Sequence, residues 1–299
     1  MSRPPALRQG DGVAVVAPSS PFDRDRFERG VRALQEMGFE PRFGEGIHAR
    51  HVGYLAGPDT RRLDELLRAL RDPSARAIVL ARGGYGLLRI APAVPRELVT
   101  KPVVGYSDAT ILHEIWSRAG VPSVHGPMCT QLGEEESAAA RLNALLHGET
   151  PEPLRWSART VRGGRVEGPI RGGNLAVLAS LCGTPLQPSF RGAIVLLEDL
   201  NEPPYRLDRL CTQLLLAGAF AGAIGFVVGD LAAPGEDNDG RDEAVAERLS
   251  TVGVPVVLSA PFGHGQRNEP VALGVPHALD AEQGALTQLE PMLEKSATA

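Results

Sequence analysis

The stretch VVGYSDATILHEIW, residues 103–116, passes from an apolar run into a helical pattern through Gly105-Tyr106-Ser107-Asp108-Ala109. A serine at such a corner either caps the new helix or is a nucleophile held up for attack. A nucleophile elbow of the form G-x-S-x-G needs small neighbours, because the serine backbone is strained and strand and helix approach closely. Here Ala109 takes the last place. The same turn sets the first amides of the helix beside the hydroxyl, where free N–H groups and the helix dipole would meet an oxyanion. Capping by Ser107 or Asp108 explains the stretch equally well, so the rest of the chain has to decide.

A second turn, Arg82-Gly83-Gly84-Tyr85-Gly86, also follows an apolar run. Its spacing is not that of a dinucleotide fingerprint. Glycine there lets a backbone amide approach a bound carbonyl, so the N–H groups of Gly84 and Asp108 make a natural two-donor oxyanion hole. Arg82 is either a bidentate clamp for a substrate carboxylate or a structural tie for the turn; Tyr85 is grouped with it as a substrate-binding candidate. A serine nucleophile also needs a base. Of the seven histidines, His264 sits between two glycines in PFGHGQRNEP and is free of helix or sheet packing, while His125 in VHGPM is the reserve. His113 lies on the helix after the elbow. His48 and His51 form H-x-x-H without a third ligand, which makes metal binding a weak reading. The base requires a carboxylate to fix its tautomer. Glu198 and Asp199 end the run GAIVLLEDL, and period-two alternation aims Glu198 and Asp199 to opposite sides.

Short apolar strands must alternate with amphipathic helices to bring these turns together. GVAVVAPS, ARAIVLARGGYG and PVVGYSD read as buried parallel strands. DRDRFERGVRALQEMG carries Phe27, Val31 and Leu34 at helical spacing; DTRRLDELLRALRDP carries Leu63, Leu66, Leu67 and Leu70, with Asp59 or Thr60 as its cap. Such alternation predicts a parallel sheet covered on both faces, with ligands at the carboxyl ends of the strands. Residues 1–146 are expected to form this domain and to carry the nucleophile. Residues 147–170, rich in Pro, Gly and Arg, are expected as a linker entering a second domain through one or two strands. Residues 171–299 form that second α/β domain with the acid and base, its helix GGNLAVLASLCGTP opened by Asn174.

Composition limits the rest. The 299 residues are 43% hydrophobic and 22% charged, with a formal net charge of −5. That is a globular chain without an electrostatic footprint for nucleic acid or an anionic membrane. Three separated cysteines, Cys129, Cys182 and Cys211, fit neither a disulfide framework nor a zinc site. No apolar run approaches the roughly 20 residues of a membrane span. No secretory leader stands out at the N-terminus, so a cytoplasmic protein without cofactor or metal is expected.

Taken in order, GYLAGPDTRRLDELLRALRDP, RGGYG, GYSDAT, HGPM, GGNLAVLASLCGTP, LLEDLNEPPYRLDR and GHGQRNEPVALG resemble the LD-carboxypeptidases and the related microcin C immunity peptidases. The blocks run from about residue 10 to residue 275. The resemblance implies a cytoplasmic, usually dimeric serine peptidase. Its fold would be a Rossmann-like N-terminal domain plus a smaller C-terminal α/β domain, with the active site in the cleft between them. Block by block it places the nucleophile on Ser107, the acid on Glu198, the base on His264, and the oxyanion amides on Gly84 and Asp108. The implied substrate is a muropeptide tetrapeptide losing its terminal D-Ala, and chain length favours this branch over the peptidyl-nucleotide hydrolases of the immunity branch. A two-domain solute-binding protein is the rival from another class, and a nucleotide-dependent oxidoreductase a distant third.

Overall fold

The apolar runs fold as the strand patterns require. A computed structural model describes residues 3–134, 136–232 and 240–295. The chain divides into two compact units, residues 1–149 with 291–299, and residues 150–290. Both are α/β.

The first unit alternates β1 (Gly12–Val16), α1 (Arg24–Glu36), β2 (Glu40–Arg42), α2 (Asp59–Arg71), β3 (Ala75–Leu80), α3 (Leu87–Ile90), β4 (Val103–Gly105), α4 (Thr110–Ala119), β5 (Ser123–His125) and α5 (Glu136–Leu146). Its strands run in parallel in the order β5-β4-β3-β1-β2. That order reverses direction between β1 and β3, the switch point at which doubly wound sheets open a crevice beyond their strand ends. The loops after β1 and β3 therefore flank one place, and the loop after β4 lies next to it. Every residue of β1 and β4 is buried, which explains why these strands read as continuous apolar runs.

The helices are amphipathic, though not always along the face that leucines suggest. In α1, Asp23 caps by accepting from the Arg26 N–H at 2.8 Å, and Phe27 and Leu34 are buried while Val31 is only partly so. In α2, the buried face is Arg62, Leu66, Ala69 and Leu70; Leu63 and Leu67 stand at its margins. Neither Asp59 nor Thr60 caps α2: the N-cap is Pro58, without a side-chain bond, because the Asp59 carboxylate is taken by Arg62 and Arg89.

The second unit contains β6 (Leu154–Arg155), β7 (Arg159–Arg162), β8 (Arg165–Asn174), α6 (Leu175–Ser180), β9 (Ile194–Glu198), α7 (Pro204–Leu216), β10 (Gly225–Val228), α8 (Arg241–Ser250), β11 (Val256–Leu258), β12 (Val271–Leu273), β13 (Pro276–Asp280) and β14 (Ala285–Gln288). An eight-stranded sheet runs β6-β14-β13-β8-β9-β10-β11-β7. Its centre, β8 to β11, is parallel, and its flanks are antiparallel. One face packs on α6, α7 and α8 through Leu178, Leu207, Leu214 and Val245; the other buries Ile194, Leu196, Val227 and Phe262. Residues 147–170 hold β6, β7 and the first part of β8, and residues 291–299 group with the first unit.

Candidate active site

Ser107 leaves β4 with φ of +60°, a left-handed backbone that costs a non-glycine residue free energy. It opens a short 3-10 turn, Ser107–Ala109, ahead of α4. Neither Ser107 nor Asp108 caps the helix: the N-cap of α4 is Ala109, and no side chain bonds there. The strain is therefore not the by-product of a cap. Small neighbours are required, since a Cβ on Gly105 would lie 3.0 Å from the Ala109 Cβ, and one on Gly83 would lie 3.3 Å from the Ser107 Oγ. The elbow pattern in the sequence thus has a steric cause on both sides.

The Asp108 side chain turns away from α4 into the protein. Its Oδ2 accepts from the Ser19 hydroxyl at 2.7 Å and from the Leu87 N–H at 2.9 Å. Burial pushes its pKa up to about 6, against the pull of these two bonds and of Arg62. The glycine turn is fixed by the same neighbourhood. Gly83 O accepts from the Ser20 N–H at 3.2 Å, the Tyr85 N–H donates to Ser20 Oγ at 3.1 Å, and Arg62 donates to the carbonyls of Gly86 and Pro18. Gly84 has φ of +105°, and a Cβ on it would run into the Ser20 side chain. Among the described residues, neither the Gly84 N–H nor the Asp108 N–H is taken up by a protein acceptor. Arg82 donates to Pro21 O at 2.8 Å, tying the turn to the segment after β1. Tyr85 is half exposed, its ring 5.9 Å from that of Tyr54.

In the second unit, His264 and Glu198 meet. Nδ1 of His264 lies 2.6 Å from Oε2 of Glu198, which is fully buried at the end of β9. A carboxylate on Nδ1 leaves Nε2 as the basic nitrogen. Both glycines around His264 are needed for space: a Cβ on Gly263 (φ +109°) would lie 2.9 Å from the Glu198 Cβ, and one on Gly265 would collide with the Asp230 carboxylate. Burial works against a charge on His264. The charge and hydrogen bond of Glu198, with Asp199 and Asp230 behind it, outweigh burial and raise its pKa above the ordinary value.

Glu198 and Asp199 do face opposite ways, and Asp199 does not emerge into solvent. It is buried and accepts from the N–H groups of Ala176 (2.9 Å) and Leu200 (2.8 Å) and from the Asn174 amide (3.2 Å), anchoring the start of α6. Burial first, then the charge of Glu198, pushes its pKa up to about 6. Asp230 is raised to about 6 as well, by burial and then by Glu198.

The other histidines have different surroundings. His125 is fully buried, its ring 5.7 Å from that of Tyr106. His113 bridges the Ser123 hydroxyl (2.8 Å) and the Gly105 carbonyl (2.9 Å), and burial brings its pKa down to about 3, so it braces the elbow as a neutral ring. His48 packs on Phe22 and Phe27, while His51 is exposed and bridges to Leu55. Four residues around these sites were not singled out from sequence: Ser19, Ser20, Arg62 and Asp230. The two serines had a signal, the Pro-Ser-Ser end of the first strand, whereas nothing in the sequence marks Arg62 as buried.

The chain matches the LD-carboxypeptidase N-terminal domain over residues 13–126 and the LD-carboxypeptidase C-terminal domain over residues 167–279. A relative from Streptomyces coelicolor is 38% identical over 302 residues, covering 97% of each chain. The murein tetrapeptide carboxypeptidase of Pseudomonas aeruginosa is 32% identical over 277 residues, covering 86% of this chain and 89% of that one. Among solved structures, the muramoyltetrapeptide carboxypeptidase from Oxalobacter formigenes superposes with a TM-score of 0.81 at 25% identity, over 92% of this chain and 97% of the other. MccF in complex with glutamyl sulfamoyl guanosine superposes with a TM-score of 0.87 at 22% identity, over 98% and 100%, a likeness of fold. With that coverage and identity, the protein belongs to the LD-carboxypeptidase family of peptidases.

Proposed function

We propose that the protein is a serine LD-carboxypeptidase that removes the terminal D-Ala from muropeptide tetrapeptides, with Ser107 as nucleophile, His264 as base and Glu198 as the acid that orients it. The observation that carries this reading is the left-handed backbone of Ser107 at the end of β4, strain that no helix cap accounts for. The Glu198–His264 pair supports it by supplying a base with a fixed tautomer. The murein tetrapeptide carboxypeptidase relative supports the substrate class.

In this mechanism His264 Nε2 takes the proton of the Ser107 hydroxyl as Oγ attacks the carbonyl of the scissile amide. Negative charge collects on the carbonyl oxygen, where the N–H groups of Gly84 and Asp108 hold it. The imidazolium, stabilised by Glu198, gives its proton to the departing amine, and D-Ala leaves. Water, deprotonated by the same imidazole, then hydrolyses the ester and restores Ser107. Arg82 and Tyr85 border the glycine turn and are proposed to meet the substrate's terminal carboxylate and side chain. The family likeness further supports a cytoplasmic homodimer, for which sedimentation of the purified protein is the direct measurement.

Mass spectrometry of a muropeptide panel tests the reading. Loss of one alanine from tetrapeptides, absent in Ser107→Ala, is the expected result. Release from an aminoacyl-nucleotide analogue without tetrapeptide cleavage would instead favour a peptidyl-nucleotide hydrolase. A folded wild type that cleaves neither and resists a fluorophosphonate probe would leave a binding protein.

A further inference from the structure

The Pro18-Ser19-Ser20 turn after β1 belongs to no catalytic group, yet it touches both sides of the elbow. Ser19 is fully buried, and its hydroxyl donates to Asp108 Oδ2 at 2.7 Å. That same oxygen accepts the Leu87 N–H at 2.9 Å, so one carboxylate ties the β1 loop to the start of α3, directly after the glycine turn. Ser20 holds the turn from its other end, through its N–H to Gly83 O at 3.2 Å and through its Oγ from the Tyr85 N–H at 3.1 Å. Gly84 lies between these two attachments, and its φ of +105° is kept by them. The backbone amide of Asp108 and that of Gly84 thus belong to segments wired together by side chains of a third loop.

We propose that Ser19, Ser20 and the Asp108 carboxyl are positioning residues that hold the Gly84 and Asp108 amides on a single oxyanion. The inference rests on the serine-peptidase reading given above. Its physical basis is preorganisation: donors aimed in advance at the developing charge reorganise little during reaction, and a small misalignment weakens them in the transition state more than in the ground state. Two loops leaving different strands have no covalent reason to keep their amides convergent. Three hydrogen bonds from the β1 turn supply one. Each of these side chains acts through the backbone and has no chemical step of its own.

The test compares Ser19→Ala and Ser20→Ala with wild type in tetrapeptide turnover, fluorophosphonate labelling of Ser107, and melting temperature. Misplaced oxyanion donors should lower kcat by about 10- to 100-fold while KM stays within about threefold. The labelling rate should fall by a similar factor, because the phosphoryl oxygen occupies the same hole. A purely structural role would lower the melting temperature and the active fraction without changing kcat per labelled site. If Ser19→Ala melts below the assay temperature, Ser20→Ala carries the same comparison through Tyr85, whose N–H loses its acceptor while the backbone bond from Ser20 to Gly83 O stays. Wild-type kcat and labelling in both variants, or a rise in KM alone, would overturn the inference while the peptidase reading stands. An inert wild type that Ser107 probes do not label would overturn both.

Discussion

Replacing Gly263 by alanine tests the geometry of the base with a single methyl group. Two costs follow from the structure. At φ of +109° a side chain pays about 1–2 kcal/mol in backbone strain. The added Cβ would also lie 2.9 Å from the Glu198 Cβ and 3.1 Å from its Oε2. Carbon atoms rest near about 3.5 Å, so one side must yield by about 0.6 Å. Glu198 is fully buried at a strand end and has little room, so the His264 loop takes most of the displacement. A shift of that size in a proton acceptor costs about 10- to 100-fold in turnover. Gly253→Ala is the control. It stands at φ of +81° with nothing within 4 Å of its would-be Cβ, so it pays the backbone cost alone. Gly253→Ala should melt about 2–8 °C below wild type, given about 2–4 °C per kcal/mol in a domain of this size, and Gly263→Ala at least as far below it. Only Gly263→Ala should lose kcat against the tetrapeptide. A cooperatively folded Gly263→Ala with wild-type turnover, or equal loss in Gly253→Ala, would refute the reasoning.

Other consequences are open to direct measurement. Ser107→Ala and His264→Ala should each remove nearly all turnover, with the double variant little worse, because groups that act as one unit are not additive; a stepwise loss in single-turnover assays would contradict a shared role. His264 must be neutral to accept a proton, and its pKa is raised above the ordinary value by Glu198, Asp199 and Asp230 against burial. The pH profile of kcat/KM should therefore fall on the acid side through a midpoint above 6.5, and Asp230→Asn should move that midpoint to lower pH. A midpoint unmoved or raised would show that Asp230 does not act on the ring. Arg62→Ala should destabilise the first unit by about 2 kcal/mol, since it leaves the Pro18 carbonyl without its buried donor and the Gly86 carbonyl with the Arg89 N–H at 3.3 Å; chemical denaturation showing less than about 1 kcal/mol would place the loops' support elsewhere.

Local chemistry made much of this protein legible in its sequence. The continuous apolar runs of β1, β3 and β9 identify buried parallel strands, because a strand covered on both faces has no polar side to alternate with. Gly105, Ala109 and the glycines around His264 can be read as places of close approach, since only small residues allow them. Period-two alternation separates Glu198 from Asp199, and the structure adds that Asp199 anchors α6 instead of facing water.

Other features exist only once distant segments are brought together. The cap at Asp59 is displaced by Arg62 and Arg89, which belong to the same neighbourhood only after α2 and α3 fold. Leucine spacing sets the face of α2 about one position off, because a fully buried Arg62 is paid for by carbonyls of two loops that no helical period can reveal. The strands β6, β7 and the start of β8 carry exposed Arg and Glu on short or antiparallel flanks, so their pattern resembles that of a linker. Ser107 shows the division most clearly: the sequence leaves cap and nucleophile equally open. The left-handed backbone that favours the nucleophile depends on the packing of Gly83 and Ala109 around it, and that packing is a property of the folded unit, where residues far apart in the chain become neighbours.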